Sequence, residues 1–459
     1  MGRKHRDSTD AGVSRRELLR WAAGGVASAS AFHALGSHNL LHAASGSGDY
    51  RALVVVYLAG GNDSFNLVVP TSAGAYADYA DSRQNLAVPV NDLLSIQPTT
   101  SDGRTWGVHP SAPELQALFE SGQMAVVANA GTLVAPVSKS EYEAGSKPLP
   151  PRLFSHNDQQ SQSMRTSPDR NDALGWGGAL ADRLAGLNGS TPLSPSITIA
   201  GSNPLLVGQT TQAYHMGTNG SVALSGFSGT RGAALQATFD VLRNQSHTHV
   251  LERRFAQTRN EAIELDGLVS AALDAEGTVT TPFPDSNRLG DQLRMVARMV
   301  AARGALGMER QVFFVRIGGF DTHAGQLEDQ PVLFAQLSQA LAAFQTALAE
   351  IGASTCVTTA VVSEFGRTLS SNGQGTDHGW GGHYLALGGA VAGREIYGTM
   401  PSFALDGPDD AGAGRMIPTT SLDQFAATLG EWFGVPTADL GTVFPNLGGF
   451  AAPTLGFMA

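Results

Sequence analysis

Three runs constrain this chain more than any other feature: Arg51-Ala-Leu-Val-Val-Val-Tyr-Leu58, Gln311-Val-Phe-Phe-Val-Arg-Ile317 and Cys356-Val-Thr-Thr-Ala-Val-Val362. Each has strand length, is rich in β-branched or aromatic residues and lacks polar alternation. A strand that faced water on one side would alternate; these read as strands covered on both faces, the setting of a parallel sheet between helices. Between and after them, apolar spacing predicts helices at Pro113–Glu120, Gly175–Leu184, Val250–Leu273, Asp291–Arg303, Leu333–Ile351 and, with Ser421 as N-cap, Ser421–Phe433. A further short strand is expected at Met124–Ala128. Strands alternating with helices predict an α/β fold: a three-layer sandwich whose central, largely parallel sheet is flanked by helices. Hydrophobic residues at 42% suffice for such a core, and 55 Gly with 22 Pro imply many shaped loops.

Each of the three runs stops at a glycine-containing turn that carries a carboxylate. The first leads to Asp63, the second to Asp321 and His323, the third to Glu364 and then Asp377, His378 and His383. Open parallel sheets place their chemistry in loops beyond the carboxyl ends of strands. Oxygen and nitrogen donors gathered there are candidate ligands of a divalent metal, its identity open among Zn, Mn, Fe and Ca. Such an ion would polarise a phosphoryl or sulfuryl oxygen. Arg367 is a candidate for gripping an anionic oxygen or for an ion pair. His156, in a polar loop ahead of Asn157-Asp-Gln-Gln160, and His109 read as hydrogen-bonded loop histidines. His247 and His249 read as structural.

A net charge of -11 argues against a nucleic-acid partner, since no basic excess exists to neutralise phosphates. One cysteine, Cys356, precludes an intrachain disulfide and is expected to be a small buried hydrophobe. The amino terminus reads as a targeting segment. Ser14-Arg-Arg-Glu-Leu-Leu19 ends a basic region, a short apolar stretch runs from Trp21 to about Leu35, and Ala43-Ala44-Ser45 offers small residues for cleavage. The paired arginines resemble the twin-arginine export signal. The expectation is a signal peptide at 1–45, recognition by the twin-arginine machinery, and a periplasmic or secreted domain at 49–459. No stretch is expected to span a membrane. Residues 187–248, rich in Ser, Thr, Gly and Asn, are expected to form loops and minor strands of a cap or insertion.

Five separated motifs then resemble one family: Leu58-Ala-Gly-Gly-Asn-Asp-Ser-Phe-Asn66, Leu153-Phe-Ser-His-Asn-Asp-Gln-Gln160, Gly319-Phe-Asp-Thr-His323, Ser363-Glu-Phe-Gly-Arg-Thr368 and Gly375-Thr-Asp-His-Gly379. In this order they resemble domain-of-unknown-function family 1501, exported bacterial proteins related to the alkaline phosphatase and sulfatase superfamily. The resemblance implies an alkaline-phosphatase-like sheet with metal ligands Asp63, Asp321, His323, Glu364 and His378, and Asp377 and His383 as ligands or their supports. It implies an anionic phosphate or sulfate ester as substrate. The chain departs from the superfamily pattern in having Glu364-Phe365 where an Asp-His pair is usual, and in lacking an evident nucleophile, for which Thr132 lies near the expected place. Those departures frame the alternative: a catalytically inactive, sulfatase-like binding or assembly protein of the cell envelope.

Overall fold

The computed structural model describes residues 50–459 except 171–172, 222–228, 244 and 247. The stretch expected to be a signal peptide and His247 therefore lie outside the described residues. In chain order, β1 (Arg51–Ala59) is followed by a small antiparallel sheet of β2 (Val68–Pro70), β3 (Leu94–Ile96) and β4 (Trp106–Val108). Next come β5 (Met124–Gly131), β6 (Ser196–Thr198), β7 (Tyr214–Gly217), β8 (Gly220–Ser221), β9 (Arg310–Gly318) and β10 (Val357–Ser363). A hairpin of β11 (Arg367–Ser371) and β12 (Thr376–His378) precedes β13 (Gly382–Leu387), β14 (Glu395–Tyr397) and β15 (Thr420–Ser421).

Among the described residues the main sheet runs β14-β5-β13-β10-β1-β9-β6-β7-β8, with β15 on β5. The three apolar runs of the sequence are its middle. β1 lies parallel to both β9 and β10, and Leu58 is level with Ile317 on one side and Ser363 on the other. Their carboxyl ends therefore open on one edge. β13 runs antiparallel to β10 and to β5, so the sheet is mixed beyond its parallel centre.

Both faces of the sheet are buried, as the absence of alternation predicts. Ala52, Val54, Val56 and Leu58 enter one core with the helices Pro113–Glu120, Arg288–Ala301 and Gln326–Glu350. Leu53, Val55, Tyr57 and Ala59 enter the other with Trp176–Leu184 and Leu422–Phe433. Each buried Val or Leu side chain of these contributes on the order of 1.5–3 kcal/mol. The fold is thus a three-layer α/β sandwich.

Several expectations shift in detail. Cys356 precedes β10 and is half-buried, not a core residue. Leu251 and Phe255 are 71% and 70% exposed; in the helix Val250–Ala275 Ala256 is buried, and the later turns, with Val269, Ala272 and Leu273, join the main core. The helix expected from Leu333 begins at Gln326, with Pro331 inside it. That helix is long and apolar enough by length and composition to cross a membrane, contrary to the expectation that no stretch is. The reason is burial: Phe334, Leu337, Leu341 and Phe344 are fully enclosed in the core, which demands the same apolar composition. Within 187–248, β6 joins β9 and β7 joins β6, so this stretch extends the sheet on that side.

Candidate metal centre

The level ends of β1, β9 and β10 bring three turns together. Gly60, after β1, has φ +122°, and a Cβ there would stand 2.3 Å from Asp321 N, so only glycine lets the two turns meet. The β11–β12 hairpin closes over the same spot: Thr376 N donates to Thr322 O (3.1 Å), and a Cβ on Gly375 would stand 2.0 Å from that carbonyl. Arg367 and His378 face each other across this hairpin, and both reach Asp321.

Asp321 is the hub. Its Oδ1 lies 3.1 Å from His323 Nε2 and 3.3 Å from His378 Nε2, and the two Nε2 atoms are 2.9 Å apart. Its Oδ2 lies 3.3 Å from His156 Nε2, which is buried yet forms no aligned hydrogen bond. Ligand atoms of His156, Asp321 and His378 all fall within 4.8 Å of one another.

Each imidazole is fixed through its other nitrogen. His156 Nδ1 meets Glu364 Oε1 (3.3 Å), His323 Nδ1 meets Asp377 Oδ1 (3.1 Å), and His378 Nδ1 meets the carbonyl of Phe154 (2.7 Å). All three Nδ1 partners are acceptors, which in the neutral rings assigns the proton to each Nδ1 and a lone pair to each Nε2. Three lone pairs then converge on one carboxylate. Acceptors on Nδ1 are what metal-binding histidines ordinarily have. Ligands about 2.0–2.2 Å from a tetrahedral ion lie about 3.3–3.6 Å apart, and the separations around Asp321, 2.9–3.3 Å, lie at and just below the short end of that range. The residues fit a divalent ion with mixed nitrogen and oxygen preference.

The electrostatics pull in different directions within the cluster. Burial opposes ionisation of Asp321, but the hydrogen bond and charge of Arg367 outweigh it and hold the carboxyl below its ordinary value. Burial likewise opposes ionisation of Asp377, and Asn372 and His323 pull its pKa down. Burial is the main cause lowering the His378 pKa, which favours a neutral ring. The bond to Glu364 raises that of His156.

The sequence-derived set is thus sorted into three groups. Asp321, His323 and His378 come together directly. Glu364 and Asp377 stand behind imidazoles: Glu364 is buried, accepts from Gly60 N (2.8 Å) and lies 3.1 Å from Ser363 Oγ. Asp63 and His383 are engaged elsewhere. The Asp63 carboxylate is buried against Arg83 and accepts from Gln326 Nε2 (2.6 Å). His383 Nδ1 accepts from Asn129 N (3.1 Å), its ring packs edge-on to Phe65, and burial lowers its pKa to about 3.

Arg367 is fully buried, with N–H groups on Asp321 (2.8 Å), Gly60 O (3.2 Å) and Thr376, so it positions Asp321. Thr132 is buried, and its carbonyl accepts from Trp380 Nε1 (2.8 Å). His109, buried against Phe334, accepts from Ser111 N (3.1 Å), as expected of a loop histidine.

His156 is the donor that sequence reasoning set aside. It follows no strand, so the strand-end argument missed it, although its motif is one of the five. It opens the short helix His156–Gln162, after a loop in which Arg152 and Phe154 have φ +54° and +71°. Non-glycine residues in this region cost on the order of 1–3 kcal/mol each, and here the strain aims the Phe154 carbonyl at His378. Arg415 was also missed. Its Nε donates to His378 O (3.2 Å), and its guanidinium lies 4.9 Å from the Phe154 ring centroid.

Among solved structures the chain is similar to the C-terminal periplasmic domain of EcEptC from Escherichia coli in complex with Zn, at 10% identity, 74% of each chain covered and a TM-score of 0.32. It is similar to the lipoteichoic acid synthase LtaP from Listeria monocytogenes, at 9% identity over 87% of this chain and 76% of that one, with a TM-score of 0.33. It is also similar to the PsFucS1 sulfatase from Pseudoalteromonas sp., at 9% identity over 88% and 72%, again with a TM-score of 0.33. Scores this low carry no argument about chemistry, which rests on the residues themselves. No curated protein matches the chain. A family model described as "Protein of unknown function (DUF1501)" matches residues 50–435, most of the described chain, and the protein belongs to that family.

Proposed function

We propose that this cluster holds one divalent metal ion, with His156, Asp321, His323 and His378 as ligands, and that the protein is an exported hydrolase of phosphate or sulfate esters. The observation that carries the reading is the set of three imidazoles, each fixed through Nδ1, whose Nε2 atoms converge on Asp321. Such an ion supplies Lewis acidity, polarising an ester oxygen and making water a better nucleophile. Zn fits three nitrogens and one oxygen best, with Mn next.

The protein's own residues supply orientation and access. Glu364, Asp377 and the Phe154 carbonyl hold the rings, and Arg367 holds the carboxylate. Asp321 and His323 are each 44% exposed, so a substrate can reach them from solvent. Arg415, half-buried beside His378, is our candidate for meeting an anionic ester oxygen. The reading assigns attack to water, because the neighbouring hydroxyls are engaged. Ser363 donates to Leu58 O (2.6 Å), and Thr322 and Thr376 donate to Gln326 Oε1 (3.2 and 2.8 Å). The paired arginines near the amino terminus support export by the twin-arginine route.

The test is hydrolysis of p-nitrophenyl phosphate, bis-p-nitrophenyl phosphate and p-nitrophenyl sulfate by Zn- and Mn-loaded protein. Turnover of one of them, lost in His323→Ala/His378→Ala, supports the reading. A metal-loaded, folded protein that turns over none of them counts against hydrolysis of small esters and favours the reading of an inactive binding protein.

A further inference from the structure

On the β6 side of β9 lies a cleft of about 630 Å³ whose lining includes Thr218, Arg288, Gln292, Arg316, Gly318 and Gln336. It reaches Gly318, three residues before Asp321, and so opens on the same strand-end edge. Two features mark it as built. The first is a buried clamp: Gln292 Nε2 donates to Arg288 O (3.1 Å) and Arg316 O (2.9 Å), and its Oε1 accepts from Arg316 N (3.0 Å). One glutamine, 2% exposed, thereby fixes the backbones that carry both arginines. The second is charge. Both arginines are exposed, and among the described residues neither guanidinium has an ion pair or hydrogen bond. The one acidic residue of the lining, Asp291, lies 3.5 Å from Arg294. On a protein of net charge -11, a cleft with two uncommitted guanidiniums is a local reversal of sign.

We infer that this cleft binds a second oxyanion of an extended substrate: a sulfate or phosphate group carried on the same polymer as the ester presented to the metal. Guanidiniums suit the planar, bidentate recognition of such groups. The substrate class becomes polyanionic, an oligomer bearing repeated sulfate or phosphate groups, and not a lone monoester. This extension rests on the proposed metal-dependent hydrolysis, whereas the anion site itself does not.

The experiment is fluorescence anisotropy with labelled dextran sulfate, polyphosphate and neutral dextran. It uses chelator-treated wild-type protein, Arg288→Gln/Arg316→Gln, and the control Arg253→Gln/Arg254→Gln, which removes the same two charges from the helix Val250–Ala275, outside the cleft lining. Wild type and the control should bind one of the anionic polymers with similar Kd, at least ten-fold more tightly than the cleft variant, and should not bind neutral dextran. The tighter of the two polymers names the oxyanion. Equal Kd for wild type and the cleft variant, equal weakening by the control, or no binding by wild type would overturn the proposal. Because the chelated protein is used, a failure of the metal reading leaves this result standing, and metal binding without polymer binding leaves the metal reading standing.

Discussion

His323 Nε2 and His378 Nε2 lie 2.9 Å apart, and Asp321 Oδ1 sits within 3.3 Å of both. With each Nδ1 committed to an acceptor, this places two lone pairs and a carboxylate oxygen around one point. A cation resolves the repulsion of such a set, and the fixed Nδ1 atoms keep it assembled.

Glu364 is the support most open to test. Glu364→Gln keeps the size and an acceptor for Gly60 N but removes the charge behind His156. Metal affinity should fall about 10–100-fold, the usual effect of losing an outer partner, with the fold intact by circular dichroism. Competition against a chromophoric chelator measures it; an unchanged affinity would show that His156 is not a ligand.

Asp63 gives the opposite pattern. Its partner Arg83 is fully buried, so Asp63→Ala strands a guanidinium in the core. Unfolding free energy should drop by about 3–5 kcal/mol, while the folded protein keeps its metal stoichiometry. Denaturant melts with parallel metal assay decide, and metal loss at unchanged stability would make Asp63 a ligand after all.

Stability should fall on acidification. Burial, the main cause in both, lowers the pKa of His383 to about 3 and of His109 to about 4. Both are neutral in the folded and unfolded chain at pH 7. As pH drops below about 6.5 the unfolded chain binds protons the folded one refuses, each group costing up to about 1.4 kcal/mol per pH unit. Urea melts between pH 7 and 4.5 should show this slope. His383→Asn, whose amide oxygen can replace Nδ1 as acceptor for Asn129 N, should be less stable but have a shallower slope. An equally steep slope in that variant would remove His383 from the account.

Much of this architecture is legible in the residues. The unbroken apolar runs at 51–58, 311–317 and 357–362 follow from burial on both faces, so the parallel centre and the edge where chemistry gathers could be read directly. Ser421 could be read as a helix cap because the capping box is local; the structure adds Gln424 as its reciprocal partner. What the sequence hides is direction. Nothing local distinguishes Glu364, whose oxygens meet backbone and His156 Nδ1, from a ligand. Asp63 follows its strand in the expected way, yet Arg83, 20 residues on, claims it. His156 comes from a loop that only tertiary packing brings to the site. The exposed Phe255 shows the same limit: helical spacing gives a face, not what covers it.

The most direct test is elemental analysis of the folded mature protein after exposure to Zn and Mn, beside His323→Ala/His378→Ala. One equivalent of metal in the wild type and none in the double variant is the predicted result. A folded wild type that takes up no metal, or a double variant that keeps it, would contradict the centre described around Asp321.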